Sequence, residues 1–116
     1  MRRYKFRGIR VGDHDVVYGD LCTIDLPDFY IVSWEDGLRH KIIIGTESQY
    51  TGYKDEQEVE IYEGDNVINE FGEVGIVVRE QGAWVVKIET FMDREDVFFL
   101  HELASDLQVI GHAWVL

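Results

Sequence analysis

Glycine divides this chain into short segments. It contains 11 glycines and one proline in 116 residues, and turn signals recur at intervals of roughly 7–12 residues. The segments between them are rich in β-branched and aromatic residues, as in "FYIVSW" (29–34) and "WVVKIE" (84–89). Such side chains favour strands, and glycine favours the turns that join them. The pattern therefore predicts an all-β protein.

Tight turns connect several of the predicted strands. An Asp36-Gly37 turn precedes the returning strand "HKIIIG", and the turns "GEVG" and "QGA" separate three strands after residue 60. Three strands joined in this way form a meander, and with two more strands a meander becomes a small SH3-like barrel. The segment "HELASDL" (101–107) is the best helix candidate, and the last predicted strand follows it.

The predicted organisation is one compact unit, 1–116, in two parts. Residues 1–60 form an N-terminal β segment and a connector, since periodicity is weak between Gly45 and Tyr62, and residues 61–116 form the SH3-like barrel. The longest apolar runs are far below the roughly 20 residues that a membrane-spanning helix needs. Cys22 is the only cysteine, which excludes an intrachain disulfide. We expect a cytoplasmic protein with no membrane association.

Charge is distributed unevenly along the chain. Residues after position 10 include six basic and 23 acidic groups, a formal charge of −17, so this part of the chain should repel DNA and RNA. Nucleic acid could be held only by a basic N-terminal arm, and the alternative is that this arm lies against the acidic body or a neighbouring subunit. The arm consists of Arg2, Arg3, Lys5, Arg7 and Arg10.

One stretch in the middle of the chain has a distinctive pattern, which we call the signature. It combines a Tyr-Thr-Gly, a Lys-Asp and an Ile-Tyr-Glu-Gly-Asp. Together with the flanking segments "YKFRGIR", "VVYGDL" and "VIGHAWVL", it resembles the YopX family of phage and prophage proteins. The signature residues are Tyr50, Thr51, Gly52, Lys54, Asp55, Ile61, Tyr62, Glu63, Gly64 and Asp65.

The resemblance implies a largely β fold with an SH3-like barrel, a phage or prophage origin and a tendency to self-associate. It implies no established activity. The chain departs from the family pattern at one turn, where Gln57 and Glu58 occupy the positions of an Asn-Gly pair. Asn-Gly favours a type I′ turn because both residues tolerate positive φ. We therefore expect a different turn type or a wider loop here.

The carboxylates of the signature allow two interpretations. Asp55, Glu63 and Asp65 could serve acid–base or metal chemistry. The structural interpretation is favoured: Asp65 would bind backbone amides beside a Gly64 turn, Thr51 would bind the turn at Gly52, and the tyrosines would bury their rings. The histidines lack metal-ligand spacing. We predict no catalytic residues, no metal and no cofactor.

Aromatic side chains point to a binding function. Small barrels often present exposed aromatics to peptides or single strands, and we favour an oligomer interface for them. The predicted function is a non-enzymatic binding or assembly module that acts as a homo-oligomer, with a host or phage protein as another partner. Two alternatives are a nucleic-acid-associated phage regulator and an acidic DNA mimic that binds a host protein. The aromatic residues are Trp34, Tyr53, Phe71, Trp84 and Trp114.

Overall fold

A computed structural model describes residues 4–89 and 94–112. Arg2 and Arg3 of the predicted arm, and Trp114, lie outside the described residues. The contacts divide the chain into two compact units, Met1–Tyr50 and Thr51–Leu116. The predicted division at residues 60 and 61 stays a prediction. No helix among the described residues is long and apolar enough to cross a membrane.

The first unit is an antiparallel sheet. Its strands lie in the order β4-β3-β2-β1, and the first half of β5 pairs with β1, where Phe6 lies opposite Gln49. The core consists of buried Val17, Ile31 and Ile42, against which partly buried apolar side chains pack. The strands are β1 (Phe6–Ile9), β2 (Val16–Cys22), β3 (Phe29–Ser33), β4 (Arg39–Ile42) and β5 (Ser48–Lys54).

The second unit begins within β5 and contains a five-stranded sheet. Strands β7 to β10 form a meander, and β11 returns to pair with β7, giving the order β10-β9-β8-β7-β11. The remaining elements are β6 (Glu60–Tyr62), β7 (Asp65–Ile68), β8 (Val74–Glu80), β9 (Ala83–Glu89), β10 (Glu95–Phe99), α1 (Leu100–Leu103), a 3-10 helix (Ala104–Asp106) and β11 (Gln108–His112).

A four-stranded meander with a fifth strand beside the first is the arrangement expected of an SH3-like unit. The prediction of a mainly β protein with one short helix near the C-terminus is confirmed. Within the described residues, no pairing joins β10 to β11, the contact that would close a barrel. The core of this unit contains eight buried residues: Ile61, Val67, Val77, Val86, Ile88, Leu100, Ala104 and Leu107.

The predicted connector between Gly45 and Tyr62 is wrong, because this segment forms β5 and β6. Apolar alternation does not reveal β5, since its buried side chains are the polar Ser48 and Thr51. Gly52 lies in β5 with φ of +90°, which interrupts the period-two pattern. The short β6 offers too few residues to show any period.

The first sheet depends on a close approach of two backbones at Gly19. A Cβ atom at this position would lie 1.9 Å from the carbonyl oxygen of Val32. Because that oxygen belongs to the backbone of the adjacent strand, β2 and β3 would have to move apart. Gly19 is therefore required by the space between the strands.

We predict that Gly19→Ala lowers the free energy of unfolding by about 3 kcal/mol, the upper range for overpacking. Urea-induced unfolding measures this change. Gly111→Ala is the control, because a Cβ atom there would meet only Asn66 Nδ2, at 4.0 Å. Equal stability of the two variants would contradict the role assigned to Gly19.

Candidate functional site

The carboxylate of Asp55 binds backbone amides from two parts of the second unit. Its Oδ1 accepts hydrogen bonds from the amides of Gln57 (2.8 Å) and Val59 (2.9 Å). Its Oδ2 accepts one from the amide of Val109 at 2.9 Å, which lies in β11. The side chain is buried, with 3% exposed. Asp55 therefore joins the β5–β6 turn to the last described strand.

The carboxylate of Asp65 also accepts a backbone amide, in the second half of the signature. Its Oδ2 accepts a hydrogen bond from the amide of Tyr62 at 2.7 Å, which is the kind of contact predicted. Gly64 has φ of +85° and donates its amide to the carbonyl of Val77 at 2.7 Å. His112 Nε2 lies 2.8 Å from the carbonyl oxygen of Glu63, so this nitrogen carries the proton. These contacts fix the turn between β6 and β7.

The other signature residues divide between the interior and the surface. The Thr51 hydroxyl donates to the carbonyl of Ile61 at 2.8 Å and accepts from the amide of Tyr53 at 3.2 Å. Tyr62 is buried, and its hydroxyl donates to Glu60 at 3.0 Å. Tyr50 and Glu63 are half-buried, whereas Gly52 and Lys54 are exposed.

The turn at Gln57 and Glu58 is a three-residue loop. The Asp55 amide donates to the Val59 carbonyl at 2.8 Å, and the Glu58 amide donates to the Asp55 carbonyl at 3.1 Å. Only Glu58 has positive φ, +63°, so the expectation that this is not a type I′ turn is confirmed. Glu58 thus occupies a left-handed conformation that glycine adopts without strain.

The described part of the basic arm is engaged by its own unit. Lys5 Nζ lies 5.4 Å from the ring centroid of Tyr18 and 5.9 Å from that of Trp34. Arg10 Nε donates to both carboxylate oxygens of Asp13, at 3.0 and 3.1 Å. The hydrogen bond from Arg10 holds the pKa of Asp13 at about 2. Arg7, on β1, is half-buried.

A polar cleft of about 450 Å³ lies beside these residues in the first unit. Its lining includes Lys5, Arg10, Trp34, Asp36 and His40. His40 Nε2 lies 2.9 Å from Asp36 Oδ2, and the pKa of Asp36 is lowered by the Leu38 amide and then by His40. Arg10 and His40, two of the basic residues of this cleft, are therefore engaged by neighbouring carboxylates.

A second cavity, of about 250 Å³, lies in the second unit and has a different character. We call it the acidic groove. Its floor is apolar, formed by Ile88, Phe98, Leu103 and Leu107, and its rim carries Asn69, Glu70, Phe71, Glu73, Asp96 and Asp106.

Phe71 lies at the mouth of the acidic groove on a turn that is held by hydrogen bonds. Asn69 Oδ1 accepts hydrogen bonds from the amides of Phe71 (3.0 Å) and Glu73 (2.9 Å), and the Asn69 amide donates to the Glu73 carbonyl at 3.1 Å. Gly72 completes the turn with φ of +79°. The Phe71 side chain is nevertheless 78% exposed. The turn therefore presents an aromatic ring to solvent.

Strand β10 adds further exposed apolar surface. All five of its residues are exposed, among them Val97 (49%), Phe98 (40%) and Phe99 (50%). Asp96 lies opposite Ile88 in the pairing with β9, so the alternation along β10 puts Asp96 and Phe98 on the face that lines the groove. Of the other aromatics singled out from the sequence, Trp34 is exposed in the first unit and Tyr53 is exposed in the second. Trp84 is half-buried against the core of the second unit.

Sequence reasoning identified Phe71 as exposed but missed the rest of the groove. Phe98 and Leu103 have the patterns of ordinary strand and helix residues, and only the tertiary arrangement of β10, α1 and the β7–β8 turn makes them line one cavity with Phe71. The alternation of Asp96 and Phe98 was the available signal. Among the described residues, no group of three His, Cys, Asp or Glu side chains is placed to hold a metal ion.

The fold and this groove define a small, mainly β protein with an SH3-like unit and an exposed apolar surface. Residues 5–115 match the family model described as YopX protein, so the chain belongs to the YopX family. No curated protein matches the sequence.

Removing the acceptor at Asp55 should destabilise the chain in graded steps. We predict that Asp55→Ala lowers the free energy of unfolding by about 3 kcal/mol, because three backbone amides lose their acceptor at once. Asp55→Asn should lose less, since one oxygen remains as an acceptor. Chemical denaturation measures both. The exposed neighbour variant Glu56→Ala is the control, and a loss at Asp55 no larger than its loss would contradict the assignment.

Relieving the backbone strain at Glu58 should stabilise the chain. We predict that Glu58→Gly raises the free energy of unfolding by about 1 kcal/mol, because glycine adopts positive φ without a Cβ clash. Thermal unfolding measures the gain. Glu58→Gln removes the charge but keeps the Cβ atom, so an equal gain from that variant would assign the effect to charge instead.

Proposed function

We propose that this protein is a non-enzymatic binding or assembly module that acts as a homo-oligomer through the second unit. The observation that carries this proposal is Phe71, 78% exposed on a turn that Asn69 holds by hydrogen bonds. An exposed aromatic ring is the kind of anchor that dominates protein interfaces, and the hydrogen bonds of its turn limit the conformational entropy that is lost when the ring is buried.

The surroundings of Phe71 support the same proposal. The groove beside it has an apolar floor and a charged rim, which is the usual anatomy of an interface with an apolar centre. Phe98 adds exposed apolar surface to the groove, and Val97 and Phe99 are exposed on the other face of β10. Contiguous apolar patches of this kind on a small protein often mark interaction sites.

The contacts of the signature support a structural role over catalysis. Both oxygens of Asp55 accept backbone amides, and Asp65 accepts the amide of Tyr62. A general base needs a lone pair directed at its substrate, whereas these carboxylates direct theirs at the backbone. Asp55 and Asp65, two of the three acids that were candidates for chemistry, thus have another task in the fold.

The nucleic-acid alternative has weaker support. Arg10 is engaged by Asp13 and Asp15, and Lys5 lies over two aromatic rings. Phosphate binding would require these cations to exchange partners. The acidic DNA mimic is consistent with the formal charge of −12. The host protein bound by such a mimic would have to recognise the spaced carboxylates. An apolar groove instead favours the binding of a protein segment. A phage or prophage origin and a cytoplasmic location remain part of this proposal.

We expect sedimentation equilibrium to give a mass above the 13.5 kDa of one chain, rising with protein concentration. Phe71→Ser should weaken self-association by about 30-fold, the effect of losing roughly 2 kcal/mol at an interface hot spot. Ile24→Ser is the matched control, because Ile24 is an 85% exposed apolar side chain in the first unit. A mass of one chain at every concentration would refute the homo-oligomer.

A further inference from the structure

The rim of the acidic groove carries carboxylates that face solvent. Glu70, Asp96 and Asp106 are exposed, and within residues 4–89 and 94–112 no Lys or Arg forms an ion pair with them. Glu73 differs, because it accepts a hydrogen bond from Asn69 Nδ2 at 2.9 Å. Three carboxylates around an apolar floor attract a segment in which Lys or Arg flanks an aromatic or aliphatic side chain.

The most basic segment of the chain itself has this chemistry. Residues 1–10 carry five basic groups and no acid, whereas the remainder has a formal charge of −17. The rim would therefore repel most of a second copy and attract its N-terminus. The residue Tyr4 is 56% exposed, so an aromatic ring is accessible beside Arg2 and Arg3 in the sequence.

We propose that the acidic groove binds the N-terminal segment, residues 1–4, of a second copy of this chain. Tyr4 would contact the apolar floor near Phe71 and Phe98, and Arg2 and Arg3 would neutralise the rim. This inference rests on the proposed self-association and names the two surfaces that produce it. The occupant is chosen by charge complementarity, because residues 1–10 carry five basic groups and no acid, whereas the next most basic stretch, residues 37–46, carries only Arg39 and Lys41.

The contact joins two different surfaces, a groove and an arm. If two copies exchange arms, both contacts form within a closed dimer. If the exchange does not close, each copy binds the next, and the assembly grows into a ring or a filament. A basic segment of a different protein would satisfy the same groove, but the chain alone would then remain monomeric.

Two charge-reversed variants of the full chain test the pairing. The rim variant carries Glu70→Lys and Asp106→Lys, and the arm variant carries Arg2→Glu and Arg3→Glu. Each alone should self-associate at least tenfold more weakly than the original chain, because groove and arm then carry the same sign. An equimolar mixture should recover association, because each arm meets a groove of opposite charge.

The control variant carries Glu56→Lys and Glu89→Lys, which changes the net charge as much as the rim variant does. Both residues are exposed and neither lines the groove. This variant should associate as the original chain does. Sedimentation velocity measures association for each protein and for the mixture, and thermal unfolding confirms that each variant is folded. Tyr4→Ser, with an expected loss of at least tenfold, replaces any charge variant that fails to fold.

The outcomes separate this inference from the proposed function. A monomeric original chain would refute self-association itself. An oligomeric original chain whose rim and arm variants associate normally would overturn the groove–arm pairing and leave the homo-oligomer standing. Loss of association in both variants without recovery in the mixture would also overturn the pairing, since any reversal of charge would then suffice.

Discussion

The carboxylate of Asp55 connects segments that are far apart in the sequence. It accepts amides from the turn at Gln57 and Val59 and from Val109 in β11. A second backbone contact reinforces this junction, because the Glu56 amide donates to the Leu107 carbonyl at 2.9 Å. Since β11 pairs with β7, the position of the turn is coupled to the five-stranded sheet. A buried carboxylate of this kind favours one arrangement of the chain, because few other side chains could accept hydrogen bonds from the same three amides.

Acidic residues in the second unit thus fall into two groups. Asp55 and Asp65 are buried and satisfied by backbone amides, which makes them part of the fold. Glu70 and Asp106 lie on the surface at an apolar groove, where charge contributes little to stability but can select a partner. The same residue type therefore supports the fold where it is buried and is accessible to a partner where it is exposed.

The strands of the second sheet could be predicted because glycine turns and alternating side chains are local signals. The segment "WVVKIE" is predicted as a strand and lies in β9. The helix predicted before the last strand is also confirmed, as α1 and the 3-10 helix. Strand β5 could not be predicted because its buried positions are polar, and their stability depends on partners such as the Ile61 carbonyl. The groove could not be predicted because Phe71 and Phe98 line one cavity only through the pairing of strands that are separate in the sequence. Local patterns thus define elements, and non-local pairing defines the site.

The segregation of charge bears on how an acidic chain could associate. Two bodies with a charge of −17 repel each other, and a contact between like surfaces would need a large apolar area to offset that repulsion. A contact between a basic arm and an acidic groove avoids the problem, because it brings opposite charges together at the interface. One such contact is small and would be weak alone. Exchange between two copies forms a second contact within the same dimer, where the effective concentration of the second arm is high. Weak individual contacts can therefore support a stable closed pair.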